Sequence, residues 1–294
     1  MKGPDYTKGS PFRRNKMRVY FQFSMIGLVC VLIVVLISAF VGRQKKIDYS
    51  DSDFVQLREP SDSATVAVFE TTEGTFKAVL YEDEAPEYCK YFKDLIEDGY
   101  FDDTYVCTII RNKELIGGFI GGSKTEDGAA GDDTNNDKII IEVSPNMLPV
   151  NGALCSLVQQ SGFFTKAKAG SLFTVLGDVV DNEELRALDA EDVNGFKRVS
   201  EVFEKYGGVP SCLQAYTIFG QVYDGWDTLE KISHTEVAPV DDEDDEENVN
   251  RKPVKEIKIT KAYLSTYGEQ KQNGFVIPEK QEEKNESSTE DSAA

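Results

Sequence analysis

The chain of 294 residues has one histidine, His234, and one tryptophan. Its five cysteines are Cys30, Cys89, Cys107, Cys155 and Cys212; no two form a CxxC and none pairs with the histidine at a ligand spacing. The usual zinc sites are thereby excluded. A Ser-His-Asp or Cys-His mechanism would have to run through His234, which follows a predicted helix at the edge of the folded part. No Walker loop or dinucleotide fingerprint is present. Residues 117–122 (GGFIGG) are rich in glycine but lack the lysine and the strand-to-helix setting of a phosphate loop. Neither a cofactor nor a metal is therefore expected. Positive charge is also scarce where it would matter. Beyond Lys46 lie 23 of the 32 basic residues but 51 of the 52 acidic ones, a net charge of −28. Such a field repels phosphate backbones, so nucleic acid is not an expected partner.

What the chain does have is one long apolar run. Residues 19–42 carry no charge, and 23–41 (FSMIGLVCVLIVVLISAFV) are almost entirely apolar. A helix of that length crosses roughly 30 Å of hydrocarbon. Lys2, Lys8, Arg13, Arg14, Lys16 and Arg18 precede it, and Arg43, Lys45 and Lys46 follow. The larger basic cluster lies before the span, which predicts a cytoplasmic tail over residues 1–18 and an extracytoplasmic remainder. A cleaved signal peptide would have an apolar region of about 7–15 residues and a small-x-small site. Here Ile37 stands two positions before Ala39, and Val29 precedes Cys30, so neither cleavage nor a lipid-modified cysteine fits. The expected location is the cell membrane, single-pass, in a cell with one thick envelope. Exported cysteines can pair, but their spacing does not say which would meet; small buried thiols are the simpler expectation.

Residues 43–64, rich in Asp and Ser, read as a solvated spacer, and residues 268–294 as a disordered polar tail. The run 241–247 (DDEDDEE) reads as a solvated acidic loop. Residues 132–137 (DDTNND) open like a calcium loop but lack glycine at position six and glutamate at position twelve. The folded part is expected over 65–267. TVAVFET and TFKAVLY flank a turn at Gly74 and form a predicted hairpin. Pro86 opens a helix whose Tyr88, Tyr91, Phe92, Leu95 and Ile96 share one face, and Gly99 ends it. Further strands are expected at 105–110, 115–120, 139–143, 153–158, 171–176, 217–222 and 254–264. A short helix is expected at 226–232, capped by Asp224. Residues 182–206 read as a helical insertion with Leu185, Leu188, Phe196, Val199, Phe203 and Tyr206 on its stripe. It would pack on the barrel or, in the sharper reading, cover a groove. This mainly β pattern with separated helices predicts a closed β-barrel with covering helices.

Several segments, in order, resemble the cyclophilins. VAVFETTEGTFKAVLYEDEAPEYCKYFKDLIEDGYFDDTYV is similar to their opening hairpin, first helix and third strand. YTIFGQVYDGWDTLEKI resembles their TVFG strand and following helix, and PVKEIKITKAYL their closing strand. The resemblance implies a cyclophilin-like barrel, here a divergent, membrane-anchored bacterial one. It also implies a peptidyl-prolyl isomerase that folds exported polypeptides through proline-containing segments.

That reaction twists an amide across a barrier of about 18–20 kcal/mol. A catalyst lowers it by donating a hydrogen bond to the prolyl nitrogen and seating the ring in an apolar pocket, both stronger in the twisted state. In the family a strand of the form FHRVIPGFMIQGGD supplies the arginine donor, two pocket residues and a glutamine. The matching stretch here is VCTIIRNKELIGGF, residues 106–119. Thr108 takes the arginine position and Cys107 the histidine. Lys113 and Glu114 replace the apolar pair, Ile116 the glutamine, and only Gly117 and Gly118 keep the pattern. GSQFF becomes GSLFT, placing Leu172 and Thr174 in the pocket; SMAN becomes CSLV, placing Val158 at the asparagine. The wall before TVFG falls near Ser211, Cys212 and Leu213. A threonine hydroxyl brings neither positive charge nor reach. Lys113 or Arg111 is a candidate substitute cation; otherwise these are surface residues of a barrel that has lost its catalyst. The expected function is thus an isomerase-type folding factor with weak or lost catalysis, the alternative a non-enzymatic peptide- or protein-binding module.

Overall fold

The computed structural model describes residues 47–112, 115–128, 139–162, 165–179, 185–186, 194–238 and 250–280. Outside them lie the apolar run 19–42, Lys113 and Glu114, the calcium-like stretch 132–137 and the acidic run 241–247. Among the described residues no helix is long and apolar enough to cross a membrane.

Strands β1 (Thr65–Thr71) and β2 (Gly74–Leu80) form the predicted hairpin, with Gly74 at φ +141° in its turn. Phe69 lies opposite Phe76, and their rings stack at 4.8 Å, which starts the core. Helix α1 (Pro86–Glu97) follows, with proline at its first position and Tyr88, Tyr91, Phe92, Leu95 and Ile96 buried along one face. Its N-terminal Glu87 and Tyr88 N–H groups donate to the Glu142 carboxylate, 3.2 and 2.8 Å away. A carboxylate there satisfies two otherwise orphaned donors and opposes the helix dipole. Phe92 then reaches Phe101, Phe173 and Phe219, with ring centroids at 4.9, 5.4 and 4.7 Å.

The remaining strands are β3 (Thr104–Asn112), β4 (Leu115–Ser123), β5 (Ile139–Ile140), β6 (Ala153–Gly162) and β7 (Thr165–Asp178). They are followed by β8 (Ile218–Asp224), β9 (Asn250–Arg251) and β10 (Lys258–Thr266). Hydrogen bonding runs in the order β10-β1-β2-β8-β6-β7-β4-β3, and β10 returns to β3 through Lys258–Tyr105 and Ile259–Thr104. Eight antiparallel strands therefore close on themselves and leave no free edge among them. The short β5 and β9 pair with the outside of this ring. Helices α2 (Phe196–Tyr206), α3 (Trp226–Ser233) and α4 (Tyr267–Gln270) complete the fold.

Several expectations change. Residues 43–64 were expected to be solvated spacer, yet from Asp48 they belong to the folded unit. Tyr49 and Gln56 are buried there. The Gln56 amide donates to the Leu148 carbonyl at 2.7 Å and accepts from the Leu148 N–H at 2.6 Å. Arg198 on α2 donates to the carbonyls of Tyr49, Ser50 and Ser52 at 3.0, 2.6 and 3.0 Å. Composition made the segment look polar, but a few side chains reach fixed partners. The tail after Gly268 is likewise folded back as far as Lys280. Phe275 lies 5.9 Å from Tyr223, and the Trp226 indole donates to the Val276 carbonyl at 2.9 Å. Of the helical insertion, α2 and the Leu185–Arg186 turn are described, and α2 buries Val199, Ser200 and Phe203. Only Ile139 and Ile140 of the expected strand 139–143 pair, and the last strand starts at Lys258, four residues late. Gly225, not Asp224, is the N-cap of α3, because the Asp224 carboxylate pairs with Lys77 at 2.9 Å.

Candidate functional site

Strands β3, β4, β7 and β6 lie side by side. Along them Ile109, Phe119, Phe173, Val175 and Leu154 point into the barrel core. Strand alternation turns Thr108, Ile120, Leu172, Thr174 and Cys155 to the opposite face. The pairing register sets four of these in one lateral row: Thr108 opposite Ile120, Ile120 opposite Thr174, and Thr174 opposite Cys155. At about 4.8 Å between strands, Thr108 and Thr174 stand roughly 10 Å apart with Ile120 between them. Leu172 lies two residues along β7 on the same face, half-buried. Val158, also half-buried, pairs with Ala169 beyond a bulge in β6.

Polar groups in this row are few. The half-buried Thr108 hydroxyl lies 3.8 Å from the Cys107 sulfur, to which it donates. Cys107 is itself buried, its thiol directed at the Ile120 carbonyl at 3.6 Å, and burial pushes its proton affinity up. It is a structural thiol. Thr174 is buried in the middle of the row. Arg111, a candidate substitute cation, turns elsewhere: its Nη2 donates to the Ser233 carbonyl at 2.6 Å, at the end of α3. Lys113 and Glu114 fall between β3 and β4, outside the described residues.

Ile116 is not brought beside Thr108. A bulge follows Ile110, and β3 and β4 run on to Asn112 and from Leu115, so in the strand ladder position 116 is paired with Arg111 and Asp178 instead. Four residues of strand, about 13 Å, separate Ile116 from the Ile120 that does face Thr108. Gly118 holds β4 against β7 along this stretch. Its φ is +109°, and a Cβ there would overlap the Val175 carbonyl oxygen.

The segment that the resemblance assigns to the wall of a groove is the turn leading into β8. A 3-10 turn spans Pro210–Cys212, Leu213 follows half-buried, and Gln214 takes a left-handed φ of +62°. Tyr216 is half-buried beyond it, its phenol raised by burial and then by the charges of Cys212 and Cys155. Cys155 lies opposite Ile218 as well as Thr174. Ile120, Cys155 and Tyr216 are thus members of the site that sequence reasoning missed. The signal for Ile120 was a second glycine pair, Gly121–Gly122, directly after it. Nothing local marked the other two, since strand pairing across the barrel brings them in.

Chemically this is a row of one aliphatic side chain, one thiol and two hydroxyls, at Thr108 and Thr174. The hydroxyls can exchange hydrogen bonds, but among the described residues the row contains no cation.

Comparison with known proteins bears on what this fold is. The family model described as cyclophilin type peptidyl-prolyl cis-trans isomerase/CLD matches residues 66–264. Peptidyl-prolyl cis-trans isomerase-like 1 of Neurospora crassa is 28% identical over 199 residues, covering 68% of this chain and 93% of that protein. The crystal structure of a Cryptosporidium parvum cyclophilin type peptidyl-prolyl cis-trans isomerase superposes with a TM-score of 0.49 at 19% identity. It covers 69% of this chain and 98% of that one. The same protein crystallised in the presence of the dipeptide Ala-Pro gives a TM-score of 0.48. The family model spans the chain from the first barrel strand to the last, over two thirds of its length, and so this chain belongs to the cyclophilin-type peptidyl-prolyl cis-trans isomerase family.

Proposed function

We propose that this protein is a membrane-anchored, extracytoplasmic cyclophilin that holds proline-containing segments of exported polypeptides and turns them over weakly or not at all. The observation that carries this reading is the row Thr108–Ile120–Thr174. A hydroxyl and an aliphatic side chain occupy the place from which a charged donor would act, and Arg111 is engaged at α3. Stabilising a twisted amide needs a donor that bonds more strongly to the pyramidal nitrogen than to the planar one. A neutral hydroxyl already 3.8 Å from a thiol provides little of that difference. The charge-free run 19–42 and the basic residues before it support the anchor and the cytoplasmic N-terminus. The strongly acidic remainder supports a protein partner and not nucleic acid.

A second reading is favoured by the same row: the barrel is a binding scaffold without any turnover. Protease-coupled isomerisation of a proline tetrapeptide by the full chain in detergent separates the two. Turnover near the usual efficiency of the family that disappears in Lys113→Ala would indicate a working enzyme with a relocated cation, and the proposal of weakened or lost catalysis would fall; a slow rate above background supports weak catalysis. Saturable peptide binding with no rate supports the scaffold.

A further inference from the structure

The strap from Tyr49 to Gln56 is bonded to two separate parts of the fold, and both lead to the same turn. One part is α2. The Tyr49 N–H donates to the Asn194 carbonyl at 2.7 Å, just before the helix, and the Tyr49 ring lies 5.6 Å from that of Phe196. Arg198 donates to three carbonyls of the strap, and its guanidinium carbon lies 5.2 Å from the centre of the Phe54 ring. The other part is the segment 146–150. The Asp53 N–H donates to Oδ1 of Asn146 at 3.0 Å, and Gln56 bonds both backbone groups of Leu148. Both parts then hold residues 207–209, the base of the turn that runs through Pro210–Cys212 to Leu213. The Gly207 N–H donates to the Phe203 carbonyl of α2 at 2.8 Å, Val150 bridges Gly208, and the Val209 N–H donates to the Pro149 carbonyl at 2.9 Å. A Cβ at Gly208 would overlap that Pro149 oxygen, so the base is packed closely on the 146–150 segment. Beyond the turn Gln214 keeps its left-handed φ of +62°, which a residue with a side chain holds only where its surroundings fix it. Its side chain bonds the Tyr49 phenol, which burial raises.

We propose that this strap positions the 210–214 turn, with Arg198 as the positioning residue that holds the strap to α2. One guanidinium makes three charge-assisted bonds, each roughly twice as strong as a neutral one, so the grip is concentrated in a single side chain. Freed from Arg198, the strap no longer ties α2 to the 146–150 segment, and the two are released to shift apart at the base of the turn. Leu213, at the end of that turn, then loses its fixed place. What this does to peptide binding rests on the groove reading proposed above; the positioning itself does not.

Hydrogen–deuterium exchange on the full chain in detergent tests this through the segment 209–215. There the amides of Val209, Cys212, Leu213 and Ala215 each donate to a backbone carbonyl, at 2.9–3.2 Å. In Arg198→Ala the segment is expected to exchange about tenfold faster, the scale of one lost hydrogen bond to a charged group, while β1 and β2 are unchanged. Tyr49→Ala, which alters the strap and leaves α2 intact, should give the same pattern, and Arg198→Lys should recover part of the protection. Faster exchange throughout the barrel would mean that Arg198 supports only overall stability. Unchanged exchange at 209–215 would mean that the turn is held instead through Gly208, which donates to Asp178 at 3.1 Å and accepts from Val179 at 3.0 Å. Either result overturns the proposal. The dissociation constant of a proline tetrapeptide, measured on the same variants, should rise with the exchange rate. A loosened turn in a chain that binds no such peptide even as wild type would support the positioning and overturn the groove reading.

Discussion

Arg111 donates through Nη2 to the carbonyl oxygen of Ser233 at 2.6 Å, so its guanidinium closes the C-terminal end of α3 and not the groove. A cation at that end satisfies an orphan carbonyl and complements the helix dipole. A hydrogen bond to a charged group contributes about 1.5–3 kcal/mol. Arg111→Ala is expected to lower stability by that order in urea unfolding and to leave peptide affinity unchanged, with Arg111→Lys recovering part. Loss of turnover at unchanged stability would show that Arg111 serves the groove.

Thr108 faces Ile120, so a donor placed at one needs a polar neighbour at the other. The double variant Thr108→Arg, Ile120→Gln is expected to raise kcat/KM for a proline peptide by about two orders of magnitude, the scale of a single transition-state donor. Thr108→Arg with Ile116→Gln should gain less, because Ile116 pairs with Arg111. Equal gains from both double variants would contradict the register.

Gln56 is buried and bonds both backbone groups of Leu148. Gln56→Leu leaves the Leu148 N–H without its acceptor, at about 1–3 kcal/mol, while the Leu148 carbonyl keeps the Val150 N–H at 2.8 Å. The expected outcome is a lower unfolding midpoint together with proteolytic cleavage between residues 48 and 58. Unchanged stability would mean that the N-terminal strap is not part of the cooperative unit.

The C-terminal turn covers an aromatic cluster in which Tyr223, Tyr267 and Phe275 meet at 5.4–6.3 Å. Fully burying a Phe side chain stabilises by about 1.5–3 kcal/mol. Phe275→Ala should therefore cost on the order of 1–2 kcal/mol, since Phe275 is only partly buried. Trp226 donates to the neighbouring Val276 carbonyl, so its fluorescence reports loosening of the turn. No change in either signal would mean that the turn does not hold.

Asp224 and Lys77 form an ion pair at 2.9 Å, each side chain 15% exposed. Burial works to raise the Asp224 pKa, but hydrogen bonds from Lys77 and Asn273 and the Lys77 charge outweigh it, and the carboxyl is held below its usual range. A depressed folded-state pKa contributes stability that is present above the unfolded value, near 3.9, and is lost as pH falls through the folded one. Urea midpoints should fall with acidification below about pH 4. Asp224→Asn should be destabilised at neutral pH and show a flatter acid limb. An identical acid limb in the variant would exclude Asp224 as a contributor.

Much of the barrel was legible because its cues are local. Alternation about Phe69 and Phe76, Pro86 at a helix start and Gly99 at its end each act within a few residues. The acidic balance beyond Lys46 and the threonine at 108, where the family resemblance leads one to expect arginine, are also read from the sequence alone. Pairing was not legible. Ile116 and Ile120 are both aliphatic residues beside a glycine pair, and only the hairpin length and the bulge after Ile110 decide which faces Thr108. The same holds for Arg111, whose partner lies 122 residues away. It holds too for Gln56, Cys155 and Phe275, whose surroundings come from distant strands and turns. A side chain's type and its neighbours in sequence determine which bonds it can make. Closure of the barrel decides which of those bonds it does make.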